Sequence, residues 1–135
     1  MKDTIKTGAS TSRKVTVDKP RTIDFLGEEL RVYATPEMIR DIEVTCLEFL
    51  QTFCDDGESS VGTNVNVAHT GAAPLGDEVE ITATIAEVEG RRVSFDVVVK
   101  DRFDEIGKGK HGRFVVAVDQ LRQRVTAKKA KLAGT

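Results

Sequence analysis

The stretch TPEMIRDIEVTCLEFLQTFC, Thr35–Cys54, is the part of the sequence from which the predicted fold follows. Thr35 can cap a helix with its hydroxyl, and Pro36 suits the first helical position because its missing N–H would have no partner there. Gly57, just beyond the stretch, can take the left-handed conformation that ends many helices. The sequence therefore predicts one long helix from Thr35 to Cys54.

The predicted helix is amphipathic, and one acid lies inside its apolar half. At about 100° per residue, one half of the helix collects Met38, Ile39, Ile42, Cys46, Leu47, Phe49, Leu50, Phe53 and Cys54. Glu43 falls in this half, between Leu50 and Cys54. A carboxylate there has to be paired, protonated or used, and burial would make it a workable base near neutral pH. Glu43 is therefore the first candidate catalytic residue; the alternative is an acid that reaches the rim or pairs with an arginine.

The composition indicates a single globular domain and excludes several classes of function. The chain has 135 residues, of which 39% are hydrophobic, and a formal net charge of −2, which favours neither nucleic acid nor a membrane surface as a partner. Because we find no signal peptide and no membrane-spanning run, we expect a cytoplasmic protein. Cys46 and Cys54 would lie about 12 Å apart on the helix, too far for a disulfide, so we expect reduced thiols. No metal site has the required ligand spacing.

We divide the chain into three parts. Residues 1–12 are expected to form a mobile N-terminal leader, residues 13–125 a single domain, and residues 126–135 a basic, helix-prone C-terminal tail. The basic residues near the end are Arg122, Arg124, Lys128, Lys129 and Lys131. They predict either a solvated helix or a patch that contacts phosphate.

Apolar and polar residues alternate in one segment before the helix and in four segments after it. Val61, Thr63, Val65, Val67 and His69 share one face of the first segment after the helix. Two glycines in the last segment, Gly107 and Gly109, indicate a bulge or a close backbone approach. The predicted strands are Arg13–Asp18, Ser60–Ala73, Val79–Glu89, Val93–Lys100 and Glu105–Asp119.

This order of elements predicts an α+β protein with the hot-dog fold, in which a curved antiparallel sheet wraps around one long central helix. Such a sheet leaves an edge open, and hot-dog domains commonly pair these edges in a dimer. We therefore expect a homodimer.

His69 and Thr35 are further candidates. His69 shares its face with valines. Glu43 and His69 are thus two ionisable residues in apolar faces, and they are more easily explained by one common site than by two unrelated coincidences. A helix that packs on the sheet could bring them together. Thr35 would lie beside the free N–H groups of Glu37 and Met38, which can form an oxyanion site. The alternatives are that His69 is a hydrogen-bonded core residue and that Thr35 is simply the N-cap of the helix.

Three residues in the strands complete the candidate set. Gly62 lies where the backbone could approach a ligand carbonyl. Arg113 in the last strand requires a carboxylate or phosphate partner. His111 lies on the same strand face as Arg113, and exposure to solvent is an equal alternative for it.

The runs GTNVNVAHTGAAP, VEGRR and DEIGKGKHGRF, with the helix opening ATP-x-M eight residues before Glu43, resemble the fluoroacetyl-coenzyme A thioesterase family of hot-dog enzymes. The resemblance covers about residues 33–118. It implies that the family's threonine, helix glutamate and strand histidine fall on Thr35, Glu43 and His69. Its supporting glycine and arginine fall on Gly62 and Arg113. The resemblance also implies that each acyl site of the homodimer is built across the subunit interface.

Two hypotheses for function are open besides the main one. The main hypothesis is hydrolysis of a small acyl-CoA thioester with no separate cofactor, because coenzyme A is part of the substrate. The segment Phe25–Leu30 does not reproduce the phenylalanine lid of the fluoroacetyl enzyme, so we do not expect selectivity for fluoroacetate. The alternatives are a non-catalytic module that binds a small acyl or hydrophobic ligand, and a hot-dog hydratase that acts on enoyl thioesters.

Overall fold

A computed structural model of the chain describes residues 1–134 and shows a long helix packed against a five-stranded antiparallel sheet. The strand order is β1-β3-β4-β5-β2, so β1 and β2 form the two edges. The predicted order of strands and helix is confirmed. The elements are β1 (Ser10–Thr16), α1 (Thr35–Gln51), β2 (Glu58–His69), β3 (Glu78–Glu89), β4 (Arg92–Lys100), β5 (Glu105–Ala117) and α2 (Val118–Ala133), with short 3₁₀ turns at Lys19–Arg21 and Glu28–Leu30.

Helix α1 buries a face that is rotated from the predicted one. Met38, Ile42, Cys46 and Leu50 are fully buried against the sheet, as expected from their periodicity. Asp41 and Thr45, which lie outside the predicted apolar half, are buried too. Ile39, Glu43 and Leu47, which lie in the predicted apolar half, are only half-buried in the single chain. The flank of α1 that carries Glu43 is left open toward the β2 edge of the sheet.

Strand β2 contains a β-bulge that changes the predicted alternation. Its pairing with β5 shifts register between Gly62 and Asn64. The extra residue, Thr63, moves Gly62 to the same face as His69, the face that looks toward α1. The predicted alternation, in which Val61 and Thr63 share a face with His69, puts Gly62 on the opposite face. That assignment is wrong because alternation in the sequence does not reveal an inserted residue.

The glycines of β5 mark close approaches, as the sequence indicated. A Cβ atom at Gly109 would lie 2.1 Å from the carbonyl oxygen of Asn66, and one at Gly107 would lie 2.8 Å from Sδ of Met38. No side chain fits at either position without moving its neighbours. The pairing of β5 with β2 therefore depends on these glycines.

The ends of the chain differ from the predicted division. The Met1 ammonium group binds the carboxylates of Asp55 and Glu58 at 2.7 and 2.5 Å, and β1 begins at Ser10, inside the segment we assigned to a mobile leader. Helix α2 begins at Val118, before the predicted tail, and none of its residues is buried. Within residues 1–134, no helix combines the length and apolar character needed to cross a membrane. Cys46 and Cys54 are buried and unpaired, as expected.

Candidate active site

Thr35 and His69 meet where the N-terminal end of α1 faces the end of β2. The Thr35 hydroxyl lies 2.8 Å from Nδ1 of His69. Thr35 is not the N-cap: Ala34 holds that position, and no side chain caps the helix there. The Met38 N–H is also not free, because it donates to the carbonyl of Ala34 at 2.9 Å. The Thr35 hydroxyl is therefore available to orient the imidazole of His69.

A buried polar network supports this pair from behind. The Tyr33 ring stands edge-on to His69, with ring centroids 6.2 Å apart. Its hydroxyl donates to Asp41 at 2.5 Å, and Arg21 donates to both oxygens of Asp41, at 2.9 and 3.2 Å. Burial and the Asp41 carboxylate raise the pKa of Tyr33 above its ordinary value, so Tyr33 stays protonated. The network fixes the ring against which His69 rests.

A second cluster surrounds Glu43, around the bulge of β2. Nη1 of Arg113 lies 3.9 Å from Oε2 of Glu43, and the side chains are 5% and 45% exposed, respectively. A Cβ atom at Gly62 would lie only 3.3 Å from Oε2 of Glu43. The glycine therefore leaves room for the carboxylate beside the backbone of β2. A cleft of about 270 Å³ opens here, lined by Glu43, Gly62, Thr63, Asn64, Val65 and His111.

Arg113 is held almost entirely by neutral acceptors. Its Nε donates to the Ser60 hydroxyl at 2.8 Å, and its Nη2 donates to the Ser60 carbonyl at 2.9 Å. Its Nη1 lies 3.2 Å from Nε2 of His111, whose Nδ1 lies 2.9 Å from the Asn64 carbonyl. An arginine nitrogen can only donate, so Nε2 of His111 accepts and Nδ1 carries the proton. His111 is thus a buried neutral imidazole and not an exposed residue.

Both histidines are shifted toward the neutral form. Burial lowers the pKa of His69, and a backbone hydrogen bond with Gly71 partly opposes this effect. Burial also lowers the pKa of His111; the hydrogen bond with the Asn64 carbonyl and the charge of Glu43 partly oppose this effect, and the positive charge of Arg113 adds to it. Neutral imidazole can accept a proton, which is what acid–base chemistry near neutral pH requires.

The two clusters are separate within one chain. Thr35 and Glu43 are eight residues apart on α1, or about 12 Å of helical rise, and His69 lies about 20 Å along β2 from Gly62. Within residues 1–134, no hydrogen bond or ion pair joins Glu43 to His69. The expectation that packing of the helix on the sheet brings these two side chains together is not met inside the chain.

Sequence reasoning found five of the residues in these clusters and missed others. Gly62, Glu43 and Arg113 come together, as do Thr35 and His69. The missed residues are Ser60, Tyr33, Asp41 and Arg21, and the role of His111 was left undecided. The only sequence signal for a polar acceptor in β2 was the need of Arg113 for a hydrogen-bonding partner. Within residues 1–134, no group of three or more His, Cys, Asp or Glu side chains is arranged so that it could bind a metal ion.

Comparison with known proteins identifies the class and then the family. A fluoroacetyl-CoA thioesterase of Streptantibioticus cattleyicolor is 34% identical, over 95% of this chain and 97% of that protein. A solved structure of the fluoroacetyl-CoA thioesterase FlK has a TM-score of 0.85 at 33% identity, covering 93% of this chain and 98% of that one. A Thermus thermophilus thioesterase superfamily member has a TM-score of 0.89 at 25% identity, covering 98% and 99%.

The fold and the site thus define a hot-dog protein of the thioesterase class, as the sequence predicted. The model of the family described as fluoroacetyl-CoA-specific thioesterase matches residues 17–119. The chain belongs to this family.

Proposed function

We propose that the protein hydrolyses a small acyl-CoA thioester at composite sites between two copies of the chain. The observation that carries the proposal is the separation of the site into two clusters, about 20 Å apart along the same edge strand. Thr35 and His69 lie at one end of β2, and Glu43, Gly62 and Arg113 lie around its bulge. In the proposed reaction the Thr35–His69 pair needs the Glu43 carboxylate, and Glu43 needs the Thr35–His69 pair.

A two-fold axis would unite the clusters. If two β2 strands pair antiparallel about a point midway between Gly62 and His69, Gly62 of one subunit lies opposite His69 of the partner subunit. Because the bulge puts both residues on the face toward α1, paired residues also project to the same side. The Glu43 of each subunit would then lie beside the Thr35–His69 pair of the other. The dimer would contain two equivalent sites.

The edge of the sheet has the properties of an interface. Strand β2 spans twelve residues, and a long open edge invites pairing with another strand. Val61 and Val65 on β2 are 39% and 41% exposed, which is high for valines in a sheet. Ile39 and Leu47, beside Glu43 on α1, are half-exposed as well. Pairing of β2 would cover these apolar side chains and bury Glu43 further.

The residues have distinct roles in the proposed reaction. The backbone beside Gly62 and the free N–H of Glu37 at the start of α1 are donors that can stabilise the oxyanion formed at the thioester carbonyl. Glu43 acts as a base toward water or as a nucleophile, and Arg113 stabilises its charge. When the C–S bond breaks, neutral His69, whose Nδ1 accepts from the Thr35 hydroxyl, donates the proton on Nε2 to the leaving thiolate. The ring then recovers the proton that Glu43 took from water.

The acyl group is proposed to be small but not specifically fluoroacetyl. The segment before α1 places Phe25, Leu26 and Leu30 at the surface, 74%, 55% and 53% exposed. The site needs no cofactor, since coenzyme A arrives with the substrate. The surface arginines and lysines are available to its phosphates. We propose that the protein works in the cytoplasm, where acyl-CoA is made and used.

A panel of short, branched and aromatic acyl-CoA esters, read by trapping the released thiol, tests the function. We expect hydrolysis of at least one short ester and at least about a hundredfold lower kcat in Glu43→Gln and His69→Ala. Light scattering should give the mass of a dimer for all three proteins. Ligand-dependent thermal stabilisation without thiol release would indicate a binding module instead, and loss of enoyl absorbance without thiol release would indicate a hydratase.

A further inference from the structure

Arg113 is a buried cation whose guanidinium is held by one residue of the neighbouring strand. Its side chain is only 5% exposed; burial lowers the pKa of Arg113, and the charge of Glu43 opposes this effect. A buried guanidinium is tolerated only where its N–H groups find acceptors. Ser60, itself buried, supplies two of them: its hydroxyl accepts from Nε at 2.8 Å, and its carbonyl accepts from Nη2 at 2.9 Å.

The register of β2 and β5 explains this contact. Arg113 lies opposite Gly62 in the ladder, and Gly62 has no side chain to interfere. Ser60 lies two residues before Gly62 and therefore projects from the same face of the sheet, toward α1. A diagonal neighbour of this kind is within reach of a long side chain. Arg113 can therefore bind Ser60 without leaving its place in the strand.

The bonds at Nε and Nη2 fix the direction of the third guanidinium nitrogen. Because the guanidinium is planar and rigid, two hydrogen bonds along one of its edges determine where Nη1 points. Nη1 lies 3.2 Å from Nε2 of His111 and 3.9 Å from Oε2 of Glu43. It carries two N–H groups, so a bond to His111 leaves the second available to the carboxylate. Within residues 1–134, Glu43 forms an ion pair with Arg113 only.

We propose that Ser60 is a positioning residue, which acts on the reaction through Arg113 and keeps the positive charge of Nη1 beside Glu43. The inference rests on the proposed thioester hydrolysis and adds a residue to it. Glu43 is 45% exposed, so without this charge its carboxylate would move among several rotamers, only some of which suit attack or proton transfer. Without the Ser60 hydroxyl, Nε of Arg113 has no acceptor, and the guanidinium turns toward another one and moves Nη1 away from Glu43.

Ser60→Ala removes the hydroxyl that binds Nε and keeps the backbone carbonyl that binds Nη2. We expect kcat to fall about tenfold, the value of one hydrogen bond to a charged group, and KM to change less than about threefold, because a buried serine does not meet the substrate. Ser59→Ala is the matched control, since Ser59 lies on the same strand and projects from the opposite face. Its kcat should stay within about twofold of wild type. Equal losses of kcat in the two variants would overturn the inference.

A double-mutant cycle separates positioning from a purely structural role. Arg113→Met removes the guanidinium at similar side-chain length, and in that background Ser60→Ala has no group through which it can act. We therefore expect the double variant to have a kcat within about twofold of that of Arg113→Met alone. A further loss of about tenfold would overturn the inference, because Ser60 would then act independently of Arg113.

A third readout does not depend on activity. Nitrogen NMR of the wild-type protein should show that the Nε–H of Arg113 exchanges slowly with water, and this signal should shift in Ser60→Ala and stay in place in Ser59→Ala. A rapidly exchanging Nε–H in wild type would overturn the inference. If wild type releases no thiol from any acyl-CoA ester, the proposed function fails, while the NMR result still decides whether Ser60 holds Arg113.

Discussion

Replacement of Gly62 by alanine should lower kcat and leave the free energy of unfolding almost unchanged. The added Cβ would lie 3.3 Å from Oε2 of Glu43, 3.4 Å from Cε1 of His111 and 3.5 Å from Nη1 of Arg113. The first contact is too close by a few tenths of an ångström. The end of the Glu43 side chain can yield toward solvent, since it is 45% exposed, whereas the buried histidine and arginine cannot.

The expected magnitudes follow from this asymmetry. Displacing a reacting carboxylate by up to about 1 Å costs about ten- to a hundredfold in kcat. The free energy of unfolding should change by less than about 1 kcal/mol, because alanine also restricts the unfolded chain by about 0.4–1 kcal/mol. The assay combines thiol release at saturating acyl-CoA with urea denaturation.

A graded series provides the control. Gly62→Ser and Gly62→Val add more atoms to the same cleft, so kcat should fall in the order glycine, alanine, serine, valine. An alanine variant with a normal rate would show that the position of Glu43 is irrelevant to the reaction. A loss of several kcal/mol of stability in that variant would show instead that this cleft belongs to the core.

Two further predictions concern the Thr35–His69 pair and the histidines. Thr35→Val removes the hydroxyl at constant shape and should lower kcat about tenfold, the value of one hydrogen bond, whereas Thr35→Ser should retain most of the rate; equal losses in both would assign Thr35 a packing role only. The pKa values of His69 and His111 are lowered from 6.5 in the folded protein, so the unfolded chain takes up protons first as the pH falls. Stability should therefore be complete above pH 6.5 and fall as the pH drops through the folded-state pKa values. Urea unfolding at a series of pH values measures this, and a stability that rises with acid would contradict the neutral state of both rings.

The sequence predicted the elements well because their signals are local. Pro36 defines the start of α1, and the spacing of Met38, Ile42, Cys46 and Leu50 identifies the buried side of the helix. Strand β4 and the part of β3 from Val79 to Ile85 follow from alternation, because every second side chain there is buried. The register shift between Ile85 and Glu87 has no such signal. These patterns arise within each element, so no knowledge of distant partners is needed.

The polar parts of the site could not be predicted because they depend on distant contacts. Asp41 looks like a surface acid on α1, and only the folded positions of Tyr33 and Arg21 give it partners. The Asn64 carbonyl that binds Nδ1 of His111 directly follows the bulge at Thr63, and this bulge has no clear sequence signal. In the same way, a sequence cannot show that the Glu43 and His69 clusters lie apart in one chain.

Mixing of subunits tests whether each site takes Glu43 from one subunit and His69 from the other. Dimers of Glu43→Gln alone and of His69→Ala alone should both be inactive. When the two variants are mixed, unfolded and refolded together, each mixed dimer contains one site with both native residues. Random association makes half of the dimers mixed, so roughly a quarter of the wild-type activity should be recovered. If native mass spectrometry shows mixed dimers and no activity is recovered, both residues belong to one subunit's site and the composite site is refuted.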